Sequence, residues 1–132
     1  MNPAHAGVAV LIVDDNPTNL KLLSYVLSSQ GYDVQTAGDA ISALAALKER
    51  RPQVILMDLQ LPGMDGLELS RRLKMDPATR DIVILAVTAY AMKGDEQRAR
   101  AAGCDGYVAK PIDTRTFPAL VASYLARAPE TQ

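Results

Sequence analysis

At 132 residues, 48% of them hydrophobic, the chain has the size of one ordinary domain and can bury a core without disulfides or a structural metal. A formal net charge of -1 offers no basic field for neutralising nucleic-acid phosphates, so DNA and RNA are not expected as direct partners. Cys104 is the single cysteine, which rules out an intrachain disulfide and fits a reducing compartment. No apolar run approaches the ~18 residues of a membrane span, and residues 1–7 lack the basic and apolar regions of a leader; the expected location is the cytoplasm, with no membrane partner.

In chain order, a polar tail over residues 1–7 reads as disordered, and residues 8–127 read as one folded domain. VAVLIV forms a first strand that breaks off at Asp14 and Asp15. Asn16 then caps a helix with Pro17 in its first turn, where a missing N–H costs nothing, and Leu20, Leu23 and Leu27 share its inner face. A second strand is expected near Asp33 to Ala37. Asp39 caps the second helix, which places Ala40, Ala43, Leu44 and Leu47 on one face and ends at Arg51 and Pro52.

QVILM is the third strand and stops at Asp58. A loop rich in Pro and Gly, Leu59 to Gly66, leads into a third helix starting at Asp65, with Glu68 positioned for a capping box and Leu69 and Leu73 pointing inward. IVILAV is the fourth strand and stops at Thr88. The fourth helix, expected over Ala91 to Ala102 with Gly94 inside it, has a weak apolar stripe of alanines and Met92 and should sit at the low-stability end of the fold. GYVA, the fifth strand, stops at Lys110 and Pro111. Thr116 is the expected cap of a last helix that carries Phe117, Leu120, Val121, Tyr124 and Leu125 at helical spacing, with Pro118 in the first turn. Residues 128–132 read as a second tail.

Strands alternating with helices give an α/β fold with a parallel sheet. In such sheets ligands bind outside the carboxyl ends of the strands. Asp14, Asp15, Asp58, Thr88 and Lys110 all stand in that position, so three carboxylates, a hydroxyl and an ammonium are expected in one pocket. Each residue alone has an ordinary structural explanation as a cap, a loop carboxylate or a strand end; their shared placement is what points to a site. Two like charges about 4 Å apart repel by roughly 4 kcal/mol at an effective dielectric near 20, so the carboxylates call for a divalent cation, and the oxygen donors suit Mg2+. Asp15 and Asp58 are the direct-ligand candidates, with Asp14 acting through water. A carboxylate can also take a phosphoryl group covalently, and Asp58 is the best nucleophile candidate because it ends the expected central strand.

VDD at Val13 to Asp15, MDLQLPGMDG at Met57 to Gly66, VTAYA at Val87 to Ala91 and GYVAKPID at Gly106 to Asp113 together resemble the receiver domain of two-component response regulators. The resemblance spans Val8 to about Arg127, and the stretch from Ala89 to Tyr107 is most similar to stand-alone receivers of the DivK cell-fate type and to receivers of hybrid kinases. It implies a flavodoxin-like (CheY-like) three-layer (βα)5 sandwich with a five-stranded parallel sheet of order 2-1-3-4-5. It further implies Asp58 as phosphoacceptor, Asp14 and Asp15 as the acidic metal-binding pair, the Gln60 carbonyl as a metal ligand and Thr88 as the switch hydroxyl. Lys110 would pair with the phosphoryl group, Tyr107 would be the aromatic switch, and the Lys110–Pro111 bond would be cis. Gln60, Ala89 and Tyr90 would tune the phosphoryl lifetime.

The implied function is a signalling phosphoacceptor rather than an enzyme with a separate substrate. The donor has to be another protein, since the chain has no ATP-holding glycine loop, and the resemblance implies a histidine kinase or histidine phosphotransferase. The downstream target is another protein, met by the fourth helix, fifth strand and fifth helix. A phosphohydrolase using an Asp nucleophile would need a second Asp where Gln60 stands, and a flavin binder would need a hydroxyl-rich loop where DDNPTN stands. A receiver excised from a longer kinase or regulator is a further reading; Met1 and the short polar tail favour a complete chain. His5, in the tail, is a poor phosphodonor, Cys104 reads as a small buried residue, and Tyr107 read without the resemblance is ordinary core packing.

Overall fold

Backbone donors in the buried apolar runs must pair with neighbouring strands, and the pairing is parallel throughout. The computed structural model describes residues 7–59, 66–88, 94–110 and 112–127. Gln60, Asp65, Ala89, Tyr90 and Pro111, with the expected cis bond, lie outside these residues, as do residues 1–6 and 128–132 of the expected tails. The elements are β1 (Ala9–Val13), α1 (Pro17–Ser28), β2 (Asp33–Ala37), α2 (Ala40–Glu49), β3 (Val54–Asp58), α3 (Gly66–Met75), β4 (Val83–Thr88), α4 (Asp95–Ala101), β5 (Gly106–Ala109) and α5 (Phe117–Arg127). The strand order is β2-β1-β3-β4-β5, as the resemblance implied, with β3 at the centre.

β1, β3 and β4 are buried along their whole length, so alternate side chains feed two separate cores. Leu11, Val13, Ile55, Met57, Ile84 and Ala86 meet α2, α3 and α4 through Ala43, Leu69, Leu73 and Ala99. Val10, Ile12, Leu56, Leu85 and Val87 meet α1 and α5 through Leu23, Leu27, Phe117 and Val121. Three layers result. Truncating a fully buried side chain such as Leu27, Leu69 or Phe117 to alanine removes about 2–5 kcal/mol, a large share of a domain's net stability.

Local chemistry accounts for the helix starts. Asn16 accepts from the Thr18 and Asn19 amides ahead of Pro17, and Asp39 accepts from the Ser42 amide. α2 departs from expectation: Ala40, Ala43 and Ala46 form its buried face with Leu47 half-buried, whereas Leu44 is 38% and Ile41 81% exposed. The small residues let α2 lie close to the sheet, and that close packing turns the bulkier Leu44 outward. Ala91, Met92 and Lys93 of the expected fourth helix lie outside the described residues; Gly94, expected inside the helix, adopts a left-handed backbone (φ 95) at the cap of α4 and stands before it. Ala99 and Ala102 are its buried contacts among the described residues.

Candidate functional site

The acidic cluster is built at the carboxyl edge of the three middle strands. β1 ends at Val13 and β3 at Asp58, and the β1–β3 register pairs Val13 with Met57, so Asp14 and Asp58 emerge side by side. Oxygens of Asp14, Asp15 and Asp58 lie within 4.8 Å of one another. Asp14 and Asp58 are buried at 3% and 4% exposure, whereas Asp15 is exposed.

Lys110 arrives from the other side. Its amide donates to the Thr88 carbonyl at 2.8 Å, continuing the β4–β5 ladder, and its Nζ reaches Asp14 Oδ2 at 3.0 Å and Asp58 Oδ2 at 3.5 Å. Burial disfavours the ammonium, yet the hydrogen bond that it donates to Asp14 and the charges of Asp58 and Asp14 outweigh it and raise the Lys110 pKa above the ordinary lysine value. The amine is therefore charged at neutral pH. Among the described residues three carboxyl groups gather round one ammonium, an acidic balance that suits a divalent cation. An all-oxygen donor set suits a hard ion such as Mg2+, and the exposed Asp15 leaves one side open for it.

Thr88 closes β4 in register with Ala109 and is 2% exposed, on the same edge as Lys110. Tyr107 pairs with Ala86 and packs, partly buried, against the core under α2, α3 and α4. Cys104 is buried. His5 and the Gln60 carbonyl lie outside the described residues.

Two contributions escape a reading by residue type. Asp14 is held by α1: its Oδ1 accepts from the Asn16 amide at 2.9 Å, and its Oδ2 from Asn19 Nδ2 at 3.4 Å. The signal was the NPTN run, whose two asparagines stand one helical turn apart. Gly66 is the second. A Cβ there would stand 2.3 Å from the Asp58 carbonyl oxygen and 2.8 Å from Leu59 Cα, so only glycine lets α3 start against the end of β3.

Residues 10–122 match the family described as the response regulator receiver domain. The chain is 44% identical over 120 residues to the polar-differentiation response regulator DivK of Brucella anthropi, covering 91% of this chain and 98% of that protein. Among solved structures, it is similar to a CheY-like receiver domain protein from Methanospirillum hungatei (TM-score 0.86, 28% identity, 93% of this chain and 97% of that one). The receiver domain of the sensor histidine kinase PA1611 from Pseudomonas aeruginosa, solved with a magnesium ion coordinated in its active-site cleft, is also similar. Its TM-score is 0.82 at 33% identity, over 92% of this chain and 99% of that one. A doubly covered parallel sheet in the order 2-1-3-4-5, an acidic cluster faced by a lysine, and these relatives over nearly their full length lead to one conclusion. The chain belongs to the response regulator receiver domains, the phosphoacceptor modules of two-component signalling.

Proposed function

We propose that Asp58 accepts the phosphoryl group, from the phosphohistidine of a histidine kinase or histidine phosphotransferase, and that the modified chain changes its protein contacts. One observation carries the reading: the Lys110 ammonium bridges Asp14 and Asp58 where three carboxylates converge at the end of the central strand. An Asp58 oxygen bonds to phosphorus as the donor's nitrogen–phosphorus bond breaks; the imidazole nitrogen keeps the electron pair and takes up a proton.

Asp14, Asp15, Asp58 and the Gln60 carbonyl are the residues that would hold Mg2+, with Asp14 reaching it through water. When bound, the ion supplies charge neutralisation for the phosphoryl oxygens. Lys110 neutralises from the opposite side, and the Thr88 hydroxyl donates to an oxygen of the new group. Thr88 then moves toward Asp58 and Tyr107 turns into the vacated space, which alters the surface of α4, β5 and α5 offered to a downstream protein. Among the described residues α4 and its C-cap are buried at Ala99 and Ala102, both alanines, which supports that choice of surface. The chain acts on no substrate other than its own phosphoryl group and works in the cytoplasm, a setting that suits its lone buried thiol.

The test uses phosphoramidate, a small donor with the same phosphorus–nitrogen bond. Incubation with Mg2+ should place one base-labile phosphoryl group on Asp58, located by borohydride reduction and mass spectrometry. Asp58→Asn should abolish it. Equal labelling of that variant would overturn the assignment.

A further inference from the structure

We infer that Asn19 is a positioning residue for Asp14: from the first turn of α1 it sets the direction of the Asp14 carboxylate, and the affinity of the site for its cation depends on it. The inference rests on the proposed Mg2+ site and adds to it a residue outside the proposed ligands.

Asp14 is pinned through its backbone and through both carboxylate oxygens. Its amide donates to the Ala37 carbonyl at the end of β2 at 3.0 Å. Oδ1 accepts from the Asn16 amide at 2.9 Å, and Oδ2 accepts from Asn19 Nδ2 at 3.4 Å as well as from Lys110 Nζ at 3.0 Å. The two asparagines are also held to each other, because Asn16 Oδ1, the cap of α1, accepts from the Asn19 amide at 3.3 Å. Asp14, Asn16 and Asn19 thus close a ring of hydrogen bonds. The carboxylate cannot rotate about its Cβ–Cγ bond without breaking the ring at one oxygen or the other.

The chemistry of the ring suits metal binding better than helix formation. α1 is already started by the Asn16 cap and Pro17 and anchored by the buried Leu23 and Leu27, and asparagine inside a helix is a weaker helix former than alanine. Asn19 is half-buried, and Asp14 is the partner of its side chain among the described residues. A carboxylate that meets a cation through water must present its lone pairs in a set direction, and partners that orient such groups typically govern metal affinity by about 10–100-fold. A neutral amide does this without adding a positive charge that would repel the ion. It also divides Oδ2 with Lys110, whose Nζ reaches Asp58 as well. When the ammonium turns to the phosphoryl oxygens, as proposed, Asn19 stays on Asp14 because its backbone is fixed by the cap.

Calorimetric titration of the full chain with magnesium chloride, without any phosphoryl donor, tests the assignment. Asn19→Ala should raise the Kd for Mg2+ about tenfold or more with the chain still folded by circular dichroism. Thr18→Ala is the control: Thr18 is an exposed neighbour in the same turn, its amide also bonds to Asn16, and the change gains helix propensity without touching Asp14, so the Kd should not move. Asn19→Gln keeps an amide donor on a longer stem and should recover part of the affinity that alanine loses. An alanine variant with the wild-type Kd, a Thr18→Ala variant that loses as much, or a glutamine variant no better than alanine would overturn the positioning role and leave the metal site standing. A wild type that binds no Mg2+ would overturn the proposed metal site and this inference with it.

Discussion

Lys110 Nζ stands 3.0 Å from Asp14 Oδ2 and 3.5 Å from Asp58 Oδ2, joining positions 96 and 52 residues away in sequence at one nearly dry point. The side chains of Asp14 and Asp58 are 4% and 5% exposed, and the amine places a positive charge between them. Lys110→Met should lower stability in metal-free buffer by about 3 kcal/mol, because it leaves two buried carboxylates facing each other. Urea unfolding in the presence of a chelator measures it. A loss below about 0.5 kcal/mol would mean that water already screens the pair.

The excess of negative charge makes the opposite prediction for Asp58. Replacing it with asparagine removes one of three clustered carboxylates, so Asp58→Asn should raise metal-free stability, by about 1 kcal/mol. The same change should weaken the response to Mg2+. A cation held at 100 times its Kd stabilises the folded chain by about 2.7 kcal/mol, and thermal unfolding at increasing Mg2+ should follow that law in the wild type. Asp15→Asn and Asp58→Asn should flatten the curve. A wild-type melting temperature indifferent to Mg2+ would remove the metal from the site.

How far these relationships could be read in advance depends on the kind of physics behind them. Strands whose two faces are both buried must be nearly continuous apolar runs, which is why β1, β3 and β4 stood out, and the edge where Asp14, Asp58, Thr88 and Lys110 meet followed from their common direction. Asn16 and Asp39 were legible as caps because capping is local. Leu44 was misplaced because helical spacing alone does not say how close a helix lies to the sheet; α2 packs through Ala40, Ala43 and Ala46. Gly94 was read as internal to α4 because the alanine pattern runs past it, whereas its left-handed backbone caps the helix. Lys74 bonding to Asp105 is a tertiary contact between ordinary surface residue types that no spacing rule marks, whereas Asn19 bonding to Asp14 is local and readable from the NPTN run.

Gly66 gives a prediction that separates packing from charge. A methyl at this position meets backbone, the Asp58 carbonyl oxygen at 2.3 Å and Leu59 Cα at 2.8 Å, and neither atom can rotate away. Gly66→Ala should therefore cost about 2 kcal/mol despite the better helix propensity of alanine, with α3 pushed off the end of β3. Because β3 carries Asp58, Mg2+ affinity measured by calorimetry should fall as well. An alanine variant as stable as the wild type, with undisturbed metal binding, would show that α3 can shift without moving the site.

The thiol of Cys104 supplies the dependence on pH. The residue is 6% exposed, and burial raises its pKa; Asp105 adds to the rise, whereas Ser70 and Lys74 pull the other way. In the unfolded chain the thiol loses its proton near 8.5, while the folded chain still holds it. Between those values the native state binds more protons than the unfolded state, so stability must fall as pH rises. The contribution is intact below pH about 8.5 and is lost above it, at a limiting slope of about 1.4 kcal/mol per pH unit for one group. Tyr32, whose pKa burial also raises, acts with the same sign but only above about 10, so the two windows separate. Urea unfolding at steps between pH 7 and 10 should show the decline, and Cys104→Ala should remove its first part. In the wild type at pH 8, iodoacetamide should label Cys104 at least about a hundredfold more slowly than in urea, since the thiolate forms only when the chain opens. Labelling at the unfolded rate under native conditions, or an alanine variant with the same slope, would place the thiol in water and end this account of the alkaline limb.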